Sequence, residues 1–185
     1  MAPHTPVLAD VTVATAADMR GLGERLASLL HPGDLVVLTG PLGAGKTTLV
    51  QGIGRGLGVR GPVTSPTFVI ARVHPALDGA GPALVHADAY RLGSRAEVDD
   101  LDLDADVGSS VTVVEWGEGL VEELADSYLE VTIALARDPA GRDAGEPEPG
   151  DLDEPREVRL AGRGPRWETA AESARLALVD GADAL

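Results

Sequence analysis

Gly40-Pro-Leu-Gly-Ala-Gly-Lys-Thr47 constrains this chain more than any other segment. It fits the pattern G-x-x-x-x-G-K-[ST] in full. At ordinary residue frequencies a chain of this size would carry the pattern by chance about once in a hundred cases. Leu35-Val-Val-Leu38 precedes it, a short apolar run bounded by turn residues that reads as a buried central strand. From Lys46 onward, Leu49, Val50, Ile53 and Leu57 share one helical face. Strand, glycine turn and helix in that order define a loop whose backbone N–H groups point inward at phosphate oxygens. Lys46 is then expected to reach the β- and γ-phosphates of a nucleoside triphosphate, and the Thr47 hydroxyl to ligate Mg²⁺.

The rest of the chain fits an α/β fold with a central, mostly parallel sheet flanked by helices. Val7 to Val13 reads as a first strand, and Thr15-Ala-Ala-Asp18 as a capping-box start to a helix carrying Met19, Leu22, Leu26, Leu29 and Leu30. Further strands are expected at Phe68–Ala71, Ala83–His86, Val111–Val114 and Tyr128–Leu135, with Glu157–Leu160 as an edge strand. Ser94 to Leu103 suggests a short acidic helix, and Trp167 to Val179 a terminal amphipathic one. Gly52, Gly54 and Gly56 each weaken the helix after the loop by roughly 1 kcal/mol against Ala, a cost that close packing on the sheet would offset. Asp138 to Pro155 is rich in Pro, Gly and acidic residues and reads as a solvated, disordered insertion. With no internal repeat, the whole of 1–185 is expected to form one domain.

Charge narrows the function. The chain has 30 Asp and Glu against 15 Lys and Arg. Such a field repels nucleic acid and anionic membranes, so contact with RNA is expected only through a partner. Lys46 is the one lysine in the sequence, and it stands where the loop pattern requires one. The absence of cysteine excludes thiolate metal sites and disulfides. No apolar run approaches the ~20 residues that span a bilayer, and Met1 to Asp10 lacks a signal layout, so a cytoplasmic location is expected.

Three further positions carry chemistry, each with a plainer alternative. Glu115 ends an apolar strand; it is either a second acidic group near the metal or an ordinary strand-end carboxylate. Asp88 follows the Ala83 strand; it either orients a nucleophile or metal-bound water, or simply closes a turn. Trp116 either packs or stacks its face on a base. His86 alone reads as a packing histidine rather than a catalyst. Thr64-Ser65-Pro66-Thr67-Phe68 is either a γ-phosphate-sensing loop or a capped turn.

Four segments in order, Gly40–Thr48, Ser65–Phe68, His86–Leu92 and Val114-Glu-Trp116, resemble the TsaE (YjeE) family over roughly residues 13 to 160. That resemblance implies a small bacterial ATPase with a P-loop fold and slow turnover of its own. It also implies a role in forming threonylcarbamoyladenosine on tRNA beside the proteins TsaD and TsaB. By motif, the loop residues Gly40, Leu42, Gly43, Ala44, Gly45, Lys46, Thr47 and Thr48 would bind ATP, and Thr47 and Glu115 would hold Mg²⁺. Lys46, Asp88 and Glu115 would carry hydrolysis. Trp116 resembles the family's adenine-side aromatic, and Arg156 a late arginine near the nucleotide. The chain departs from the family in having Gly117 after Glu-Trp, and Ala87 and Ala89 where bulkier residues are usual.

Other functions remain in view. A small P-loop kinase acting on a metabolite or nucleotide shares the loop, although the acidic insertion is unlike a phosphate-clamping lid. A regulatory GTPase is disfavoured, because the chain has no Asn and no second Lys with which to build an Asn-Lys-x-Asp segment. A binding module without hydrolysis would leave Glu115 and Asp88 unexplained.

Overall fold

The apolar run Leu35–Leu38 lies fully buried in the middle strand of a seven-stranded sheet. The computed structural model describes residues 6–66, 70–92, 94–99, 108–136 and 154–179. Their elements, in chain order, are β1 (Val7–Val13), α1 (Ala16–Ala27), β2 (Leu35–Thr39), α2 (Lys46–Gly56), β3 (Ala71–His74), β4 (Ala83–Asp88), α3 (Arg95–Asp99), β5 (Ser110–Glu115), β6 (Tyr128–Leu135), β7 (Arg156–Arg163) and α4 (Pro165–Val179). A single 3₁₀ turn, Glu122–Leu124, precedes β6.

The sheet order is β1-β7-β6-β2-β5-β4-β3. Strands β6, β2, β5 and β4 run parallel, while β7 and β3 run antiparallel to their neighbours. Successive residues of β2 therefore feed two cores. Val36 and Leu38 join Leu22, Leu26, Leu49, Ile53 and Trp167 on one side. Leu35 and Val37 join Val85, Ala87, Val114 and Val121 on the other. A strand covered on both faces has no polar position, which is why the sequence there shows no alternation.

Helix α1 starts as expected. The Thr15 hydroxyl accepts from the Asp18 amide at 3.1 Å, and the Asp18 carboxylate accepts from the Thr15 amide at 3.0 Å. Helix α2 differs from expectation in what its glycines meet. A Cβ on Gly52 would collide with the Arg20 carbonyl, and one on Gly56 with Ala27 and the Glu24 backbone, all in or beside α1. Gly23 of α1 is closed off in the same way by Leu49 and Gly52. The close approach is thus mostly helix to helix; Gly54, near Val63 and Leu84, is the one glycine of the three with a neighbour on the sheet.

Three further expectations are corrected. Strand β7 is no edge: it spans eight residues between β1 and β6 and pairs with both. Its partners are remote in sequence, so alternation alone could not reveal them. The strand expected at Phe68–Ala71 begins only at Ala71, after a bend in which Ile70 has φ +69° and its amide donates to the Pro66 carbonyl at 2.7 Å. Phe68 and Val69 lie outside the described residues. Helix α4 starts at Pro165, two positions ahead of Trp167, with proline in its favoured first-turn place. Of the acidic helix expected to reach Leu103, Arg95–Asp99 is described, and most of the Asp138–Pro155 insertion also lies outside the described residues.

Arg166, at the start of α4, ties that helix to the loop before β2. Its guanidinium donates to Asp34 at 3.0 and 3.2 Å and to the Leu29 carbonyl at 2.7 Å. Among the described residues no helix is long and apolar enough to cross a membrane.

Candidate functional site

The turn between β2 and α2 is built on left-handed backbone at Gly43 (φ +77°) and Gly45 (φ +102°), a conformation only glycine adopts without strain. Gly45 is the N-cap of α2 and offers no side-chain acceptor; the first turn of the helix also carries no acidic residue. The contrast with the capped start of α1 is direct. Four amides at a helix N-terminus need acceptors, and here no capping side chain supplies one. The helix dipole adds partial positive charge at the same place.

Lys46 opens α2 and is buried. Its ammonium donates to the Gly40 and Pro41 carbonyls at 2.8 and 2.9 Å and sits 4.0 Å from the centre of the Trp116 ring. Burial pushes its pKa below the ordinary lysine range, and the nearby Glu115 and Asp88 carboxylates oppose that shift. Thr47, one position on, donates its hydroxyl to Glu115 Oε1 at 2.9 Å.

Parallel pairing of β4 with β5 sets Asp88 beside Glu115 at the ends of the two strands. Both carboxylates are buried. Asp88 Oδ1 accepts from the Tyr90 amide at 2.9 Å. Together with Ser65, the loop and Trp116, they line an open cleft of about 350 Å³. That size lies in the usual range for small-molecule pockets. An oxygen-only pair such as Thr47 and Glu115 suits a hard cation like Mg²⁺, which takes few protein ligands and leaves the rest to water and phosphate.

The structure brings Lys46, Thr47, Asp88, Glu115, Ser65 and Trp116 to one cleft with the loop. Gly40 contributes its carbonyl to Lys46. Leu42 is 83% exposed at the tip of the loop, whereas Ala44 is buried and its amide donates to the Pro41 carbonyl at 3.2 Å. Trp116 adopts φ +61°, which turns its ring over Lys46, with the Tyr90 ring 5.2 Å away. Arg156 lines a narrow neighbouring cleft with Thr15, Met19 and the loop residues Ala44, Gly45 and Thr48. Trp116 and Arg156 thus line two clefts that share Gly45 and Thr48 of the loop, with Trp116 at the lysine.

Sequence reasoning missed His86. It is wholly buried, and its Nε2 lies 2.8 Å from Glu115 Oε1. Its spacing of two residues from Asp88 was a usable signal, because residues i and i+2 of a strand share a face.

A β2–glycine loop–α2 unit carrying Lys46 and Thr47, in the parallel middle of a mixed sheet whose neighbouring strand ends in Glu115, defines a P-loop-type α/β fold. The family model described as "Threonylcarbamoyl adenosine biosynthesis protein TsaE" matches residues 13–143. A protein of Streptomyces coelicolor named tRNA threonylcarbamoyladenosine biosynthesis protein TsaE is 60% identical over 154 residues, covering 82% of this chain and 95% of that one. The protein of the same name from Bacillus subtilis is 38% identical over 122 residues, 65% of this chain and 74% of that one. The crystal structure of Bacillus subtilis YdiB superposes with a TM-score of 0.67 at 28% identity, covering 92% of this chain and 96% of that one. The chain belongs to the TsaE family.

Proposed function

We propose that this protein is the Mg²⁺-dependent ATPase component of tRNA threonylcarbamoyladenosine biosynthesis. Family membership supports the pathway. The observation that carries the ATPase reading is the uncapped start of α2, with Lys46 and Thr47 on its first turn and Glu115 at 2.9 Å from Thr47. A helix start without its own acceptors, beside an ammonium, suits a polyanion.

Each side chain has a task in this reading. The loop amides and Lys46 bind the triphosphate and offset charge that develops on the γ-phosphoryl oxygens. Thr47 and Glu115 would hold Mg²⁺, which when bound would neutralise further phosphate charge. Asp88, beside Glu115 at the strand ends, orients the attacking water. Trp116 packs on Lys46 and excludes water from one side of it.

The acidic net charge supports a division of labour in which partners grip the tRNA. TsaD and TsaB are the proposed partners, with ATP turnover by this chain resetting their complex. In cells depleted of the protein, the wild-type gene should restore threonylcarbamoyladenosine in bulk tRNA, and Lys46→Ala should not. Restoration by Lys46→Ala would overturn the reading.

A further inference from the structure

We infer that His86 is a positioning residue for Glu115, fixing which carboxylate oxygen is left to face a cation; the inference rests on the Mg²⁺-dependent ATPase reading above. His86 and Asp88 share a face of β4, and Asp88 pairs with Glu115 across the β4–β5 ladder. The imidazole therefore lies diagonally below the Glu115 carboxylate and meets its Oε1 at 2.8 Å. The Thr47 hydroxyl donates to the same oxygen at 2.9 Å.

An ionised carboxylate oxygen has room for about two in-plane hydrogen bonds. Oε1 receives both of these from the protein. Oε2 receives none from the described residues and is the oxygen left for a metal or its water. Because a carboxylate only accepts, Nε2 of His86 must carry a hydrogen. The other ring nitrogen, Nδ1, is buried and has no hydrogen-bond partner among the described residues. A hydrogen on Nδ1 alone would leave that N–H unsatisfied and set a bare Nε2 against a carboxylate oxygen, two costs in one arrangement. The surroundings thus select one tautomer, and that tautomer clamps Glu115.

A histidine that merely filled space would tolerate Leu of similar bulk with no effect on the cation. A clamp on a ligating carboxylate behaves differently, since loss of such a partner typically weakens metal affinity about 10–100-fold. The test measures nucleotide binding calorimetrically, with and without Mg²⁺, in the wild-type chain, His86→Leu and His86→Gln. His86→Leu should raise the Mg²⁺ concentration needed for half-maximal effect at least about tenfold while leaving Mg²⁺-free nucleotide binding near wild type. His86→Gln, which keeps an N–H donor at similar reach, should recover most of the loss. Wild-type Mg²⁺ dependence in His86→Leu would overturn the inference and leave the ATPase reading standing. Absence of any Mg²⁺-dependent nucleotide binding in the wild type would remove that reading and the inference with it. Should His86→Leu fail to fold, ¹⁵N NMR of the wild-type histidine rings decides: a hydrogen on Nε2 supports the clamp, and a hydrogen on Nδ1 alone overturns it.

Discussion

The Thr47 hydroxyl and the Glu115 carboxylate stand 68 positions apart in the chain and 2.9 Å apart in the fold. The parallel pairing of β2 with β5, which sets Leu38 opposite Glu115, brings them there. Thr47 rides on the helix that β2 launches, and Glu115 on the end of the next strand.

If both hold the same cation, their losses should not add. Thr47→Ala and Glu115→Gln are each expected to lower Mg²⁺-dependent ATP turnover about 10²-fold or more. The double variant should be little worse than the poorer single one, because groups acting as a unit are strongly non-additive. Steady-state phosphate release checks this; losses that multiply would separate the two residues into different tasks.

Gly52→Ala sets helix propensity against packing. Propensity alone would stabilise α2 by about 1 kcal/mol. The added methyl would press on the Arg20 main chain, which cannot rotate aside, and overpacking of that kind costs about 1–3 kcal/mol. The net cost lowers the melting temperature by up to about 4–8 °C; a rise would show that α1 yields without cost.

Much of the site was legible because its signals are local. The glycine loop, the apolar Leu35–Leu38 run and the Lys46 helix are contiguous in sequence, and each obeys a short-range rule. Glu115 was visible as a carboxylate closing an apolar strand. What stayed hidden depended on pairing or backbone handedness. The interior place of β7 is set by β1 and β6, over 100 and about 20 residues away. The turn of Trp116 over Lys46 depends on a positive φ that a bulky residue rarely adopts. His86 read as packing because its partner lies on another strand.

His74 gives the protein a pH dependence on the acid side. Burial, then the neighbouring His86 and Arg72, push its pKa below the ordinary histidine value, against a smaller opposing pull from the Arg60 backbone. The unfolded chain takes up this proton near pH ~6.5, whereas the folded chain takes it up only at lower pH. Between those points the unfolded state binds more protons, so the His74 contribution is complete above about pH 6.5 and is lost as pH falls through that window. Urea midpoints measured from about pH 7 down to about pH 5 should fall for the wild type and fall less steeply for His74→Gln. Parallel curves would assign the slope to other groups.

Arg166→Ala should loosen α4 from the body of the fold. It leaves the buried Asp34 carboxylate without its guanidinium and the Leu29 carbonyl without that donor. Because the arginine is itself partly exposed, the expected cost is about 1–3 kcal/mol rather than that of a fully buried pair. Chemical denaturation measures it, and no loss would mean that water replaces the guanidinium freely.

The most direct measurement is calorimetric titration of the purified protein with a non-hydrolysable ATP analogue and Mg²⁺, wild type against Lys46→Ala. Saturable one-to-one binding by the wild type, weakened at least about 10²-fold in the variant, is the expected result. Equal affinity in the two proteins, or no binding by either, would contradict the claim that the loop between β2 and α2 holds a triphosphate.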